Sequence, residues 1–163
     1  MPQSAKPRKQ HKAKPKFHPV HGSGTMSPQE IIEQSIAKTE PEANWEDVYD
    51  AIYTGIQSNK FRILRHKNSL LFFKVEPPVA SNMHIFTTES PEELKKSFVE
   101  FGKAFKASGY KKMTGTLPAN NRAILRLIRN ANNLGFKIQE TPIYANEGDA
   151  EPSEYDVVIE IGK

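Results

Sequence analysis

The residues able to do chemistry gather in a few places. The stretch "HIFTTESPEELKK" (84–96) reads as a strand that turns into a helix. Such a corner holds a phosphate when glycines let backbone amides close on its oxygens. Here the corner carries Thr87, Thr88, Glu89, Ser90, Pro91, Glu92 and Glu93, with no glycine. Ser90 and Glu93 have capping-box spacing. Glu89, Glu92 and Glu93 suit the positive end of a helix dipole and are expected to repel a diphosphate. His84 and Glu89 are the nearby groups able to accept a proton, although a single histidine on a strand is ordinarily structural. His11, His18 and His21 fit no rigid metal-ligand spacing, so no metal is expected. The chain has no cysteine, which removes disulfides, thiol catalysis and thiolate metal sites.

A second set is purely cationic. Lys6, Arg8, Lys9, Lys12, Lys14 and Lys16 lie within residues 1–25, which hold no acid. The net charge is +4, so the rest of the chain is mildly acidic. Pro2, Pro7, Pro15 and Pro19 oppose helix and sheet there, and like charges repel. Residues 1–26 are therefore read as a basic flexible arm, and 27–163 as one domain. The six cations are candidate contacts for a partner protein or nucleic acid. If all six met phosphates, the log–log salt slope would be about −5. Only Phe17 and the histidines could stack on bases, so sequence readout is not expected.

Arg122, Arg126 and Arg129 form a third group, at helical spacing, read as an exposed face or else as a partner or phosphate contact. Lys95, Lys96, Lys103 and Lys106 are read as the solvated side of the helix that follows the corner. An acidic loop covers residues 147–154.

These groups must be positioned by the regular elements. Ser27-Pro28-Gln29-Glu30 opens a helix with inward Ile31, Ile32 and Ile36. A second helix starts at Asn44 and carries Trp45, Val48, Ile52 and Ile56. "FRILRH" and "LLFFKVEPP" form a hairpin through Lys67-Asn68-Ser69, followed by "NMHIFTT". The next helix buries Leu94, Phe98, Phe101 and Phe105. "YKKMTGT" is a strand. Asn120 or Asn121 then caps a helix over 122–134 that ends at Gly135. "FKIQETPIY" and "YDVVIEIG" are the last strands. The order α-α-β-β-β-α-β-α-β-β implies a mixed α/β sheet with helices on both faces. No apolar run approaches the roughly 20 residues of a membrane span, and the basic start lacks the apolar stretch of a secretory signal.

This order, with "NNRAILRLIRNANNLGFKI", resembles the GNAT acyltransferases over residues 27–163. The resemblance implies an acetyl-CoA site at the glycine turn that residues 89–95 replace. It also implies a tyrosine acid where Ala131 stands. If the protein is active, Asn120 and Asn121 are the cofactor-binding candidates. With the glycines and the tyrosine missing, the chain looks like the degenerate GNAT-like proteins of tailed bacteriophages, similar to those in short-tailed phage morphogenesis gene sets. The expected function is then a non-catalytic virion or assembly protein without a catalytic residue or cofactor. Its arm would anchor it to portal, capsid, tail or internal proteins, in the host cytoplasm during assembly and then in the virion. The alternatives are a working acetyl-CoA-dependent N-acetyltransferase with a divergent turn, and a nucleic-acid-binding accessory protein using residues 1–25.

Overall fold

A computed structural model describes residues 18–23 and 25–161. One seven-stranded mixed sheet runs in the order β1-β2-β3-β4-β5-β7-β6. Its strands are β1 (His18–Ser23), β2 (Phe61–Lys67), β3 (Ser69–Glu76), β4 (Val79–Thr87), β5 (Lys112–Pro118), β6 (Lys137–Ile143) and β7 (Glu154–Glu160). The helices are α1 (Pro28–Thr39), α2 (Trp45–Gln57), α3 (Pro91–Ala107) and α4 (Arg122–Arg129). From residue 27 onward the element order is the expected one.

Two differences have physical reasons. Residues 18–23, read as part of the arm, add a strand parallel to β2. It lies at the edge of the sheet, where a proline is tolerated. The helix expected over 122–134 is split. After Arg129 a 3-10 turn covers Ala131–Leu134, and Gly135 closes it at φ +96°. Two asparagines in this last turn have weak helix propensity, and a tighter turn lets Phe136 reach the core.

The sheet alternates between two cores. Ile63, Leu70 and Phe86 point to the face covered by α1 and α2, where Ile31, Ile32, Ile36 and Ile52 meet them. Met113, Val157 and Ile159 point to the other face, under Leu94, Phe98, Phe101 and Phe105 of α3 and Ile124 and Ile128 of α4. Each of these strands thus divides its side chains as a period of two requires. The α1–α2 pair contacts β2, β3 and β4.

Helix α3 touches the sheet closely enough to need a glycine. A Cβ on Gly102 would lie 2.5 Å from Phe136 Cζ, and Phe136 packs edge-on against Phe98 with ring centroids 5.1 Å apart. Alanine would add about 1 kcal/mol of helix propensity, but overpacking a filled core costs about 1–3 kcal/mol. Gly102→Ala should therefore lower stability by up to about 2 kcal/mol in urea unfolding, where alanine in an exposed helix would raise it.

Candidate active site

The sheet comes apart at its centre. Parallel β4 and β5 pair only through Val79 with Lys112 and Ala80 with Met113. Beyond those residues the two strands form no further ladder with each other, while β5 remains paired to β7 from Lys112 to Pro118. Close to the seam, Gly115 lets the strands approach, since a Cβ there would lie 3.0 Å from the Met83 carbonyl oxygen.

A cavity of about 280 Å³ lies between α1, the end of β4, the start of α3 and α4. Ile85, Leu94, Ile124 and Leu127 supply an apolar wall. Lys38, Lys95 and Arg126 supply cations from three different helices, and Glu89 and Glu92 supply two carboxylates. Among the described residues Lys38 and Arg126 make no ion pair, and Lys95 lies 3.6 Å from Glu92. The corner therefore has room, and beside the expected Glu89 and Glu92 it has three cations that the spacing of the sequence did not place there. Lys95 also departs from its reading as part of a merely solvated face.

Glu89 lines the cavity, but its carboxylate is already held by neighbouring groups. Its carboxylate accepts hydrogen bonds from Ser97 Oγ at 2.7 Å, from Ser69 Oγ, and from the Asn68 amide at 3.3 Å. Ser69 also meets Thr87 Oγ1 at 2.6 Å, and Ser97 meets the buried His66 Nδ1 at 2.8 Å. This network ties the β2–β3 hairpin to the start of α3 and fixes the corner. Sequence reading missed it, although a serine at 97, beside the apolar stripe of α3, was a usable sign of a buried polar partner.

The helix start itself has the expected capping box. Ser90 Oγ accepts from the Glu93 amide at 3.3 Å, and Glu93 accepts from the Ser90 amide at 3.0 Å. These hydrogen bonds hold the exposed Glu93 carboxyl below its usual pKa. Pro91 has no N–H, so of the first four amides only that of Glu92 is left to meet an anion. Any phosphate here must be gripped mainly by side chains.

On the sheet face beside α1 and α2, a cleft of about 590 Å³ lies over the seam. Asn82 and His84 from β4, Thr114 and Thr116 from β5, and Asp156 from β7 line it. Thr116 Oγ1 donates to Asp156 Oδ1 at 2.9 Å. A narrow passage shares His84 and Thr116 with this cleft, and shares Ser35, Thr39, Asn121 and Ile124 with the cavity. His84 thus stands at the junction. Its side chain is 49% exposed, with Nε2 4.0 Å from Glu40 Oε2. Loss of hydration lowers its pKa from the ordinary histidine value, and Glu40 opposes this in part.

The other sequence candidates fall as follows. Asn121 caps α4, its Oδ1 accepting from the Ile124 amide at 3.4 Å, and it borders the cavity. Asn120 sits in the exposed turn before it. Ala131 is fully buried and offers no acid. Arg126 faces the cavity, whereas Arg129 is held by Glu140 at 3.0 and 3.1 Å and lies over the Tyr155 ring. Lys6, Arg8, Lys9, Lys12, Lys14 and Lys16 lie outside the described residues. Among the described residues there is no metal-ligand cluster and no helix long and apolar enough to cross a membrane.

Solved acetyltransferase structures overlay on most of this chain. A Salmonella typhimurium acetyltransferase that modifies the N-terminal serine of a 50S ribosomal subunit protein overlays with a TM-score of 0.57, covering 83% of this chain and 90% of its own. The fold is that of the GNAT acetyltransferases. Sequence identity to that structure is only 10%. A spermidine N-acetyltransferase chimera from Vibrio cholerae and hSSAT overlays with a TM-score of 0.56 at 9% identity, covering 84% of this chain and 93% of its own. The Salmonella typhimurium protein yncA, solved with acetyl-CoA, gives 0.54 at 8% identity, covering 85% and 93%. No protein-family model matches the sequence, and no curated protein matches it significantly. The expected GNAT fold therefore holds, while the phage lineage and loss of activity rest on the sequence reading alone.

Proposed function

We propose that the protein is an acyl-CoA-dependent N-acyltransferase whose coenzyme diphosphate is gripped by side chains. The observation that carries this reading is a sheet whose β4 and β5 pair only at their starts, beside a cavity with an apolar wall and three cations against two carboxylates, of which Glu89 is already held by serines. An apolar wall suits the coenzyme's pantetheine arm, and Lys38, Lys95 and Arg126 suit its phosphates. Its thioester supplies an acyl carbon whose bond to sulfur breaks, with the pair kept by sulfur, as a bond to the acceptor nitrogen forms. His84 Nε2 takes the proton released from that nitrogen, directly or through one water. Neutral imidazole is the form this requires, and the lowered pKa of His84 favours it near pH 7. Asn121 keeps α4 capped at the passage. The acetyl-CoA seen with yncA fits the same reading.

Calorimetry with coenzyme A tests the donor site. Lys95→Ala and Arg126→Ala should each weaken binding about tenfold, the loss of one charge-assisted contact. No binding by the unaltered protein would overturn the proposal.

A second reading is kept by two observations, the filled capping box and Ala131 in place of an acid. It is a non-catalytic GNAT-fold protein of a phage, placed in assembly or in the virion by its basic arm. Mass spectrometry of purified virions, together with absence of coenzyme A binding, would favour it.

A further inference from the structure

Arg126 and Arg129 suit the last turn of α4, where cations meet the negative end of the helix dipole. Arg122 does not. It is the first residue of the helix, at the positive end, and no acid stands in that turn. It also lies four positions before Arg126, a spacing at which like charges destabilise a helix. Local rules broken without a gain in folding mark positions kept for another purpose. The structure supplies the place. Between α4 and β7 lies a pocket of about 330 Å³, lined by all three arginines, Leu125 and Tyr155, with no carboxylate among the described lining residues. Arg122 and Arg126 make no ion pair among the described residues. Arg129 is already fixed, by two hydrogen bonds to Glu140 and by the Tyr155 ring beneath it. The pocket is distinct from the donor cavity. Arg122, Arg129 and Tyr155 do not line that cavity, and Arg126 borders both.

We propose that this pocket binds a phosphate monoester other than the coenzyme, a second anion site that does not depend on the acyltransferase reading. Three guanidiniums, less the Glu140 carboxylate that holds one of them, leave a surplus of two positive charges. A phosphate monoester carries nearly two negative charges at neutral pH. Planar guanidiniums match phosphate oxygens in pairs, and those of Arg122 and Arg126 are engaged by no described carboxylate. With the anion seated between them, the repulsion along α4 becomes attraction to a shared partner. The pocket's volume falls in the range of small-molecule sites and exceeds what one ion fills. Leu125 and Tyr155 give the organic part of the molecule an apolar surface.

Calorimetry on the full chain at neutral pH tests this with phenyl phosphate, inorganic phosphate and phenyl sulfate. Phenyl phosphate should bind about tenfold more tightly than phenyl sulfate, which has the same shape and a single charge. Inorganic phosphate separates the sources: weaker binding than phenyl phosphate assigns an organic monoester, and equal binding assigns free phosphate. Arg122→Ala should weaken phenyl phosphate about tenfold and leave coenzyme A affinity unchanged. Its melting temperature should hold or rise, because the substitution relieves repulsion; an arginine kept for folding would lower it. Absence of phenyl phosphate binding, equal affinity for phenyl sulfate, or unchanged binding in Arg122→Ala overturns the inference. So does complete displacement of phenyl phosphate by coenzyme A, which would return the pocket to the donor site. If coenzyme A does not bind and phenyl phosphate still requires Arg122, the donor reading fails and the second anion site stands.

Discussion

His84→Gln should lower the maximal rate of acyl transfer by about 100-fold, at the lower end of what a positioned base contributes. Affinity for coenzyme A should stay the same, because His84 does not line the cavity itself. Glutamine keeps much of the shape and hydrogen bonding but cannot take a proton at neutral pH. The pH profile provides the second check. Burial lowers the pKa of His84 more than Glu40 raises it, and Asp156 faces the same cleft. The neutral form is the active one, so kcat/KM should rise with pH and level off. The inflection should lie below the unperturbed histidine value of about 6.5. Removing Glu40's charge should move the inflection further down, since that carboxylate supports the protonated ring. A rate that is unchanged in His84→Gln would show that water or another group takes the proton.

Glu89→Ala should cost about 2–3 kcal/mol in urea unfolding. It removes three hydrogen bonds to one carboxylate and leaves Ser69, Ser97 and the Asn68 amide to find other partners. Glu89→Gln should cost less, because the amide oxygen can still accept from the serines. Its NH₂ group then faces a donor, so recovery should be partial. Both substitutions loosen the join between the β2–β3 hairpin and the start of α3. Weaker coenzyme A binding should accompany the stability loss, although Glu89 touches no phosphate in this reading. Unchanged stability in Glu89→Ala would mean that the serines are satisfied without it.

Glu89 also illustrates what the sequence could and could not supply. Local rules located the elements well. The box at Ser90–Glu93 and the stripe Leu94, Phe98, Phe101 and Phe105 are written in short-range spacing, and the structure has both. The seam is not local, since pairing between residues 79–80 and 112–113 joins segments more than thirty positions apart. Reading charges along the chain also misled at the corner. Glu89, Glu92 and Glu93 looked like one acidic surface, yet their carboxylates meet serines, Lys95 and the helix cap respectively. Lys38 and Arg126, 88 positions apart, could not be seen as neighbours of Lys95 without the packing of α1 and α4 around it. His84 was visible as a candidate, but its place between the cleft and the passage was not.

The two-pair contact between β4 and β5 has a mechanical meaning as well. With so short a suture, the sheet is hydrogen-bonded as two plates, β1-β2-β3-β4 and β5-β7-β6, and Leu94, Phe98, Phe101 and Phe105 of α3 pack in the core beneath both. Small rotations of the plates would change the gape by more at the far end than at the join, so the molecule could tighten on a guest without breaking any of its longer ladders. Slow deuterium uptake at Val79–Ala80, beside faster uptake at Ile85–Thr87 that slows when a guest is held, would be the signature of such a jaw.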